Sequence, residues 1–257
     1  MTEYQNLDLE VSDYIATIRL NRPPVNALSM GLYLDIAAVF GEIARRTDEI
    51  RVAILTGEGR CFCAGRDLKV SEVEPPETRS AAARASYSAI FHSVVPVIAA
   101  INGPAMGAGF LSAMMTDFLI ASERAEFGLP EIDAGLNMSI ATLLRGFNQF
   151  QARYYAFTAE RVGPEEMYRI GVVQKVVPHD ELLAEARRIG AVLAAKSPMA
   201  LRAAKWSSIE VETMFQNFEQ AYRAIESRVS MGLLHTEDRK EAGRAFAEKR
   251  DPVFKNR

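Results

Sequence analysis

Val52-Ala53-Ile54-Leu55 and Val97-Ile98-Ala99-Ala100-Ile101 are apolar at every position. A strand with one wet face alternates apolar and polar residues. A run without alternation is buried on both faces, as in a parallel sheet covered by helices on each side. Phe118-Leu119-Ile120-Ala121 reads the same way, less cleanly. Between these runs lie helical stretches, Thr78 to Ser93 and Ala108 to Met115. Strand, helix, strand, helix, strand in this order implies an α/β fold with right-handed crossovers. The 257 residues, 49% of them hydrophobic, suffice for one large domain or one domain with an appendage.

The flanking segments follow from the same patterning. Leu7 to Val11 and Tyr14 to Leu20 alternate around Ser12-Asp13, which predicts a hairpin. Pro23-Pro24 cannot continue a ladder. Ser29 then has the character of an N-cap for a helix to Arg46, with Leu32, Ile36, Val39, Phe40 and Ile43 on one face. From Pro164 onward strand character thins out. A short helix over Glu165 to Ile170, a strand over Val172 to Val177 and a long helix over Asp180 to Ala195 are expected. Helices over Pro198 to Ser208, Val211 to Val229 and Asp238 to Lys249 then form a helical appendage. The expected division is a core over 1–195 and a helical region over 196–257.

Net charge is −3, so bulk charge points neither to nucleic acid nor to a membrane surface. The two cysteines, Cys61 and Cys63, stand one residue apart, a poor geometry for a bridge, and read as buried thiols in a reducing compartment. His92, His179 and His235 are spaced for no metal site. The N-terminus has neither the basic nor the apolar region of a signal peptide. The most apolar stretch, Val94 to Met115, is broken by Asn102, Gly103, Pro104 and further glycines. A cytoplasmic protein is expected.

Four local features carry chemistry. Cys61-Phe62-Cys63-Ala64-Gly65-Arg66-Asp67-Leu68 follows one buried strand, and Asn102-Gly103-Pro104-Ala105-Met106-Gly107-Ala108-Gly109-Phe110 follows another and leads into a helix. Glycines between a strand and a helix start expose unpaired N–H groups, which attract negative charge. Two such turns converging could form an oxyanion hole. Singly, each could do no more than permit a tight backbone. The second lacks both the full G-x-G-x-x-G spacing of a dinucleotide site and the Gly-Lys-Ser/Thr ending of a P-loop. The third feature, Phe127-Gly128-Leu129-Pro130-Glu131, displays a carboxylate. The fourth, Arg244 to Pro252, is an amphipathic helix with a polar stop.

Taken together and in order, these segments resemble the enoyl-CoA hydratase/isomerase (crotonase) family. Asn21-Arg22-Pro23, Leu55-Thr56-Gly57, Phe62-Cys63-Ala64-Gly65-x-Asp67-Leu68, Pro96 to Gly103, Phe127-Gly128-x-Pro130-Glu131 and Ala245 to Arg250 all match its motifs. The tail from His235 to Arg257 is similar to that of crotonobetainyl-CoA (carnitinyl-CoA) hydratases. The resemblance implies a crotonase-like spiral of ββα units with a C-terminal α-helical trimerisation module, assembled as a homotrimer or a dimer of trimers. It implies an acyl-CoA thioester substrate, with coenzyme A part of that substrate and no separate cofactor.

By the same resemblance the thioester oxygen is held by the backbone N–H groups of Arg66 and Ala108, and Glu131 is the catalytic carboxylate. Ala64, Asp67 and Leu68 fall in a segment that cradles coenzyme A, as does the stretch from Arg22 to Ala27. Arg60 and Lys69 stand where basic residues meet its phosphates, though as lone side chains they read as solvated surface charges. Phe246 and Lys249 match positions that reach a neighbouring subunit's coenzyme A. Tyr33, Tyr154 and Tyr155 read as core or wall residues.

Two departures from the family pattern bear on the chemistry. Hydratases of the family place a second glutamate four residues after the first glycine of the 107–109 turn, where this chain has Leu111. The glycine-rich stretch expected after Gly135 is replaced by Leu136-Asn137-Met138-Ser139-Ile140. Leu111 and Met138 would keep Glu131 desolvated and raise its pKa. Asp133, Asn137 and Ser139 are candidate auxiliary groups, or simply loop hydrogen-bonding residues.

Three functions stay open on the sequence. The first is an acyl-CoA enzyme that forms an enolate and moves a double bond with one glutamate. The second is a hydratase or dehydratase acting on an unusual acyl group. The third is a non-catalytic CoA- or RNA-binding relative, which the acidic balance and the lack of a lysine-rich helix weaken.

Overall fold

The computed structural model describes residues 4–69, 75–137, 139–215, 231–232, 234–250 and 252–253. Strands β1 (Leu7–Ser12) and β2 (Ile15–Leu20) form the expected antiparallel hairpin. Its two-residue loop, Asp13-Tyr14, has both φ angles positive (54° and 64°), which matches the right-handed twist of the strands it joins. Parallel strands β3 (Val52–Gly57), β4 (Val97–Ile101), β6 (Phe118–Ser122) and β8 (Val173–Val177) extend the sheet in the order β1-β2-β3-β4-β6-β8.

Both faces of this sheet are covered, which is why β3 and β4 show no alternation. On one face, Ala53, Leu55, Val97, Ala99 and Ile101 pack with residues of α1 (Met30–Arg45), α2 (Pro76–Phe91) and α3 (Ala108–Met114). On the other, Val52, Ile54, Ile98, Ala100 and Ile120 meet Leu182, Ala186 and Ala194 of α7 (Leu182–Ala194), which follows a 3-10 turn at His179–Glu181. Helix α1 begins as expected, with Ser29 accepting a hydrogen bond from the Leu32 N–H.

The strand–turn–helix units carry a second ladder that the apolar runs do not reveal. Strands β2, β3, β4 and β6 are each followed by a short extended segment before the next helix. Leu28 bridges to Arg66, Cys63 to Ala105, strand β5 (Pro104–Met106) pairs in parallel with β7 (Glu126–Gly128), and Phe127 bridges to Val162. The glycine-rich turns are thus the ends of a narrow second layer, repeated from unit to unit. This is the mixed α/β architecture with a parallel sheet expected from the sequence.

Helices α4 (Ile140–Leu143), α5 (Gln149–Thr158) and α6 (Pro164–Arg169) lead to β8. The helices expected to break at Ser208 are instead one continuous helix, α8 (Pro198–Phe215), over the described residues. Ser208 donates its hydroxyl to the Lys205 carbonyl at 2.8 Å, so it is accommodated inside the helix, and Ile209 anchors the next turn in the core. The expected helix to Val229 lies, past Phe215, outside the described residues. Lys205 is buried and donates to Asp117 at 2.6 Å, while Arg145 pairs with Glu212, so α8 is fixed to the core by charge as well as packing. The last helix, α9 (Glu237–Glu248), is capped by Thr236 and buries Ala242 and Ala245. None of the described helices is long and apolar enough to cross a membrane.

Candidate active site

The two glycine-rich turns meet. Cys63 donates its N–H to Pro104 O at 3.1 Å and accepts from Met106 N at 2.9 Å, locking one turn against the other. Gly65 (φ 92°) faces the second turn so closely that a Cβ there would stand 2.8 Å from Met106 O and 3.6 Å from Ala108 N. Only a glycine fits both that backbone angle and that approach.

Leu28 bonds to the residues on either side of Arg66: its N–H donates to Gly65 O (2.8 Å) and its carbonyl accepts from Asp67 N (3.0 Å). In such a parallel pairing the amide of the residue between points the other way. Among the described residues, the Arg66 N–H donates to no backbone oxygen. Nor does the N–H of Ala108, the first residue of α3, where helix amides have no intrahelical acceptor. Both residues line one cavity of about 330 Å³.

The same cavity holds Glu131. The chain leaves β7 through Leu129-Pro130 and turns tightly, the Glu131 carbonyl accepting from Ala134 N (3.1 Å) and Leu136 N (2.8 Å). The carboxyl lies against Gly107, and its Oε2 is buried with no hydrogen-bond partner among the described residues. Burial pushes its pKa up to about 7, with its own backbone amide and the Arg66 guanidinium pulling weakly the other way. An acid so placed exchanges a proton readily near neutral pH, as a general acid or base must. Leu111, where the sequence departs from the family pattern, lines the wall, with Ala83, Ala134 and Leu136 adding apolar surface. Met138, the other expected source of desolvation, lies outside the described residues.

The structure brings Ala64, Arg66, Leu68, Ala108, Leu111, Glu131 and Phe246 around this cavity. Phe246, which by resemblance reaches a neighbouring subunit's coenzyme A, lines the cavity in its own chain. Arg60, Asp67, Lys69 and Lys249 are not in the lining. Asp67 turns to Arg22 at 2.6 Å, and Arg22 also donates to Ala27 O at 2.9 Å. The pair clamps the 22–28 segment to the turn that carries the Arg66 amide. Arg60 and Lys69 are exposed, and Lys249 ends α9 in the left-handed conformation.

Of the auxiliary candidates, Ser139 lines the cavity, and its hydroxyl also caps α4 and bonds to Thr142 Oγ1 at 2.7 Å. Asp133 is exposed and outside the lining, whereas Asn137 is in it. Tyr33 belongs to the wall, and Tyr154 is exposed on α5.

Three further contributors are not singled out by the sequence as residues, though Asn26 lies in the 22–27 stretch that the resemblance assigns to coenzyme A. Tyr87 and Arg79 line the cavity from α2, a helix whose sequence shows little amphipathic contrast. Asn26 holds the site together by donating to Glu58 O (3.0 Å) and Cys61 O (2.8 Å) while accepting from Arg22 N (3.0 Å). The cysteines beside it are inert, their thiols pushed up by burial to about 11 for Cys61 and about 12 for Cys63.

Comparison with known proteins converges on one family. The family model described as enoyl-CoA hydratase/isomerase matches residues 10–257. A carnitinyl-CoA dehydratase of Escherichia coli (strain K12) is 37% identical over 262 residues, covering 98% of this chain and 99% of the relative. An enoyl-CoA hydratase/isomerase structure from Pseudoalteromonas atlantica superposes with a TM-score of 0.88 at 28% identity, covering 98% of this chain and all of that one. An enoyl-CoA hydratase structure from Bacillus anthracis gives 0.76 at 32% identity, over 98% of this chain and all of that one. With its motifs in register along nearly its whole length, the chain belongs to the enoyl-CoA hydratase/isomerase family of enzymes.

Proposed function

We propose that this enzyme forms an enolate from an acyl-CoA thioester and moves a carbon–carbon double bond, with Glu131 as its single proton carrier. Removing a proton beside the reacting alkene spreads negative charge onto the thioester oxygen. The amides of Arg66 and Ala108 are the donors for that oxygen, an arrangement in which each is worth about 3–4 kcal/mol of barrier. Glu131 takes the proton from one carbon and returns it to another, so the carboxyl ends as it began and nothing is added or lost.

The observation that carries this reading is the pairing of a desolvated Glu131 with Leu111. A leucine can neither hold nor activate a water molecule, whereas a one-carboxylate shuttle needs none. The relatives named carnitinyl-CoA dehydratase favour a second reading, loss or addition of water with Glu131 working alone or with Asn137. Incubation with 2-enoyl- and 3-enoyl-CoAs followed by mass spectrometry separates the two. Interconversion at constant mass supports isomerisation, and product heavier by one water overturns it in favour of hydration.

We further propose that the C-terminal helices mediate trimerisation, alone or as paired trimers. The exposed Met199 and Trp206, seven residues apart on α8, support this. Light scattering on the purified protein tests it, and a monomer would refute it.

A further inference from the structure

Arg66 offers the cavity a side chain as well as an amide. Arg66 is half-buried and lines the cavity, and its guanidinium forms no ion pair or hydrogen bond with any described residue. Glu131 is the one acidic residue in the lining among the described residues. Where the family pattern would place a further carboxylate, Leu111 supplies no counter-charge to the Arg66 guanidinium.

On the reading proposed above, on which this inference rests, the thioester oxygen sits at the Arg66 N–H. A guanidinium tethered to the same residue can reach the acyl group or the near end of the pantetheine arm. It cannot reach the phosphates of coenzyme A, which lie the length of that arm away. A cation held against apolar walls without a counter-ion is costly, and a ligand that supplies the counter-charge recovers that cost. A carboxylate also matches the planar fork of an arginine, which an uncharged chain does not. A quaternary ammonium group, such as a carnitinyl chain carries, would meet like charge.

We infer that Arg66 is a specificity-determining residue whose side chain selects acyl-CoA substrates bearing a second carboxylate on the acyl chain.

Equilibrium binding of saturated analogues tests this without requiring turnover. The probes are glutaryl-CoA, which carries the extra carboxylate, pentanoyl-CoA, which is neutral, and 4-trimethylammoniobutanoyl-CoA, which is cationic. The wild type is expected to bind glutaryl-CoA about 10- to 100-fold more tightly than pentanoyl-CoA, the worth of a charge-assisted hydrogen bond or bidentate pair. Arg66→Gln should abolish that ratio, and Arg66→Lys should retain part of it; the lysine variant also serves should the glutamine variant fail to fold. Equal binding of glutaryl- and pentanoyl-CoA, tightest binding of the cationic analogue, or a ratio unmoved by both substitutions would overturn the inference. Preference for glutaryl-CoA through Arg66 with no enoyl-CoA turnover would leave the inference standing and sink the enolate reading. Turnover of uncharged enoyl-CoAs with no such preference would do the reverse.

Discussion

A Cβ on residue 107 would stand 2.6 Å from Oε1 of Glu131, so the carboxyl occupies the space that any side chain at Gly107 would take. Gly107 also has φ 50°, outside the usual range for residues with a side chain. The glycine-rich turn and the Glu131 carboxyl are therefore one device. Gly107→Ala adds backbone strain of about 1–2 kcal/mol and pushes Glu131 out of position. We expect enoyl-CoA turnover to fall by a factor well beyond the loss of thermal stability. Steady-state kinetics alongside thermal melts check this, and full activity in the variant would refute the contact.

The strands β3 and β4 were legible because a doubly covered strand must be apolar throughout, and Ser29 because a cap has a fixed partner three residues on. The second ladder was not. Pro104 to Met106 and Glu126 to Gly128 are too short for periodicity, and their pairing joins residues distant in sequence. The site divides in the same way. Glu131 and the amides of Arg66 and Ala108 sit in recognisable segments, as does Asn26, whereas Tyr87 and Arg79 enter through tertiary placement alone. Asp67 lay in a motif, yet its role in the structure is to clamp Arg22, which the motif does not disclose.

Glu131 must be ionised to take a proton. With its pKa raised to about 7 by burial, kcat/KM for an uncharged enoyl-CoA should rise with pH through about 7 and level off above. Glu131→Gln should lower kcat/KM by about 10²–10⁴-fold and erase that acid limb. A pH–rate profile with no inflection between 6 and 8, on the order of one unit either side of 7, would count against Glu131 as the base.

The same shift has a stability consequence of opposite sign to that of a salt-bridged acid. Between about 4.5 and about 7 the folded protein keeps a proton on Glu131 that the unfolded chain has released. Stability from this group is therefore full at acid pH and declines as pH rises through that window. The decline amounts to on the order of 3 kcal/mol above pH 7. Glu131→Gln, which cannot ionise, should match the wild type near pH 4.5 and exceed it at pH 8. Denaturant titrations at the two pH values check this, and a variant equally destabilised at both would argue against it.

Asp67→Asn leaves the Arg22 guanidinium without its carboxylate partner in a part-buried position. Loss of this charged hydrogen bond should cost about 1–3 kcal/mol. Because the pair pins the turn holding the Arg66 amide, turnover should fall as well. Asp67→Asn combined with Arg22→Gln should cost less than the sum of the two single changes, since each alone removes the same interaction. Strict additivity in a double-mutant cycle would show that the clamp does not act as a unit.

Leu111→Glu tests whether the apolar wall sets the reaction. The side chain at 111 projects from α3 into the cavity that Glu131 faces, so a carboxylate there would give the site two acids able to bind and polarise a water. Two neighbouring carboxyls resist ionising together, so the pH dependence should shift upward from that of the wild type. Replacing a buried leucine with an ionisable group should also cost stability, on the order of 1–3 kcal/mol, with the smaller loss at acid pH where both acids are protonated. The informative quantity is the product ratio: against 2-enoyl-CoA the variant should form more water adduct relative to shifted double bond than the wild type does. Mass spectrometry of the quenched reaction reads both products at once. If the ratio stays fixed in a variant that still folds and binds acyl-CoA, the choice between moving a proton and adding water is made elsewhere in the cavity, and Asn137 and Ser139, the polar candidates that share its lining, become the residues to change next.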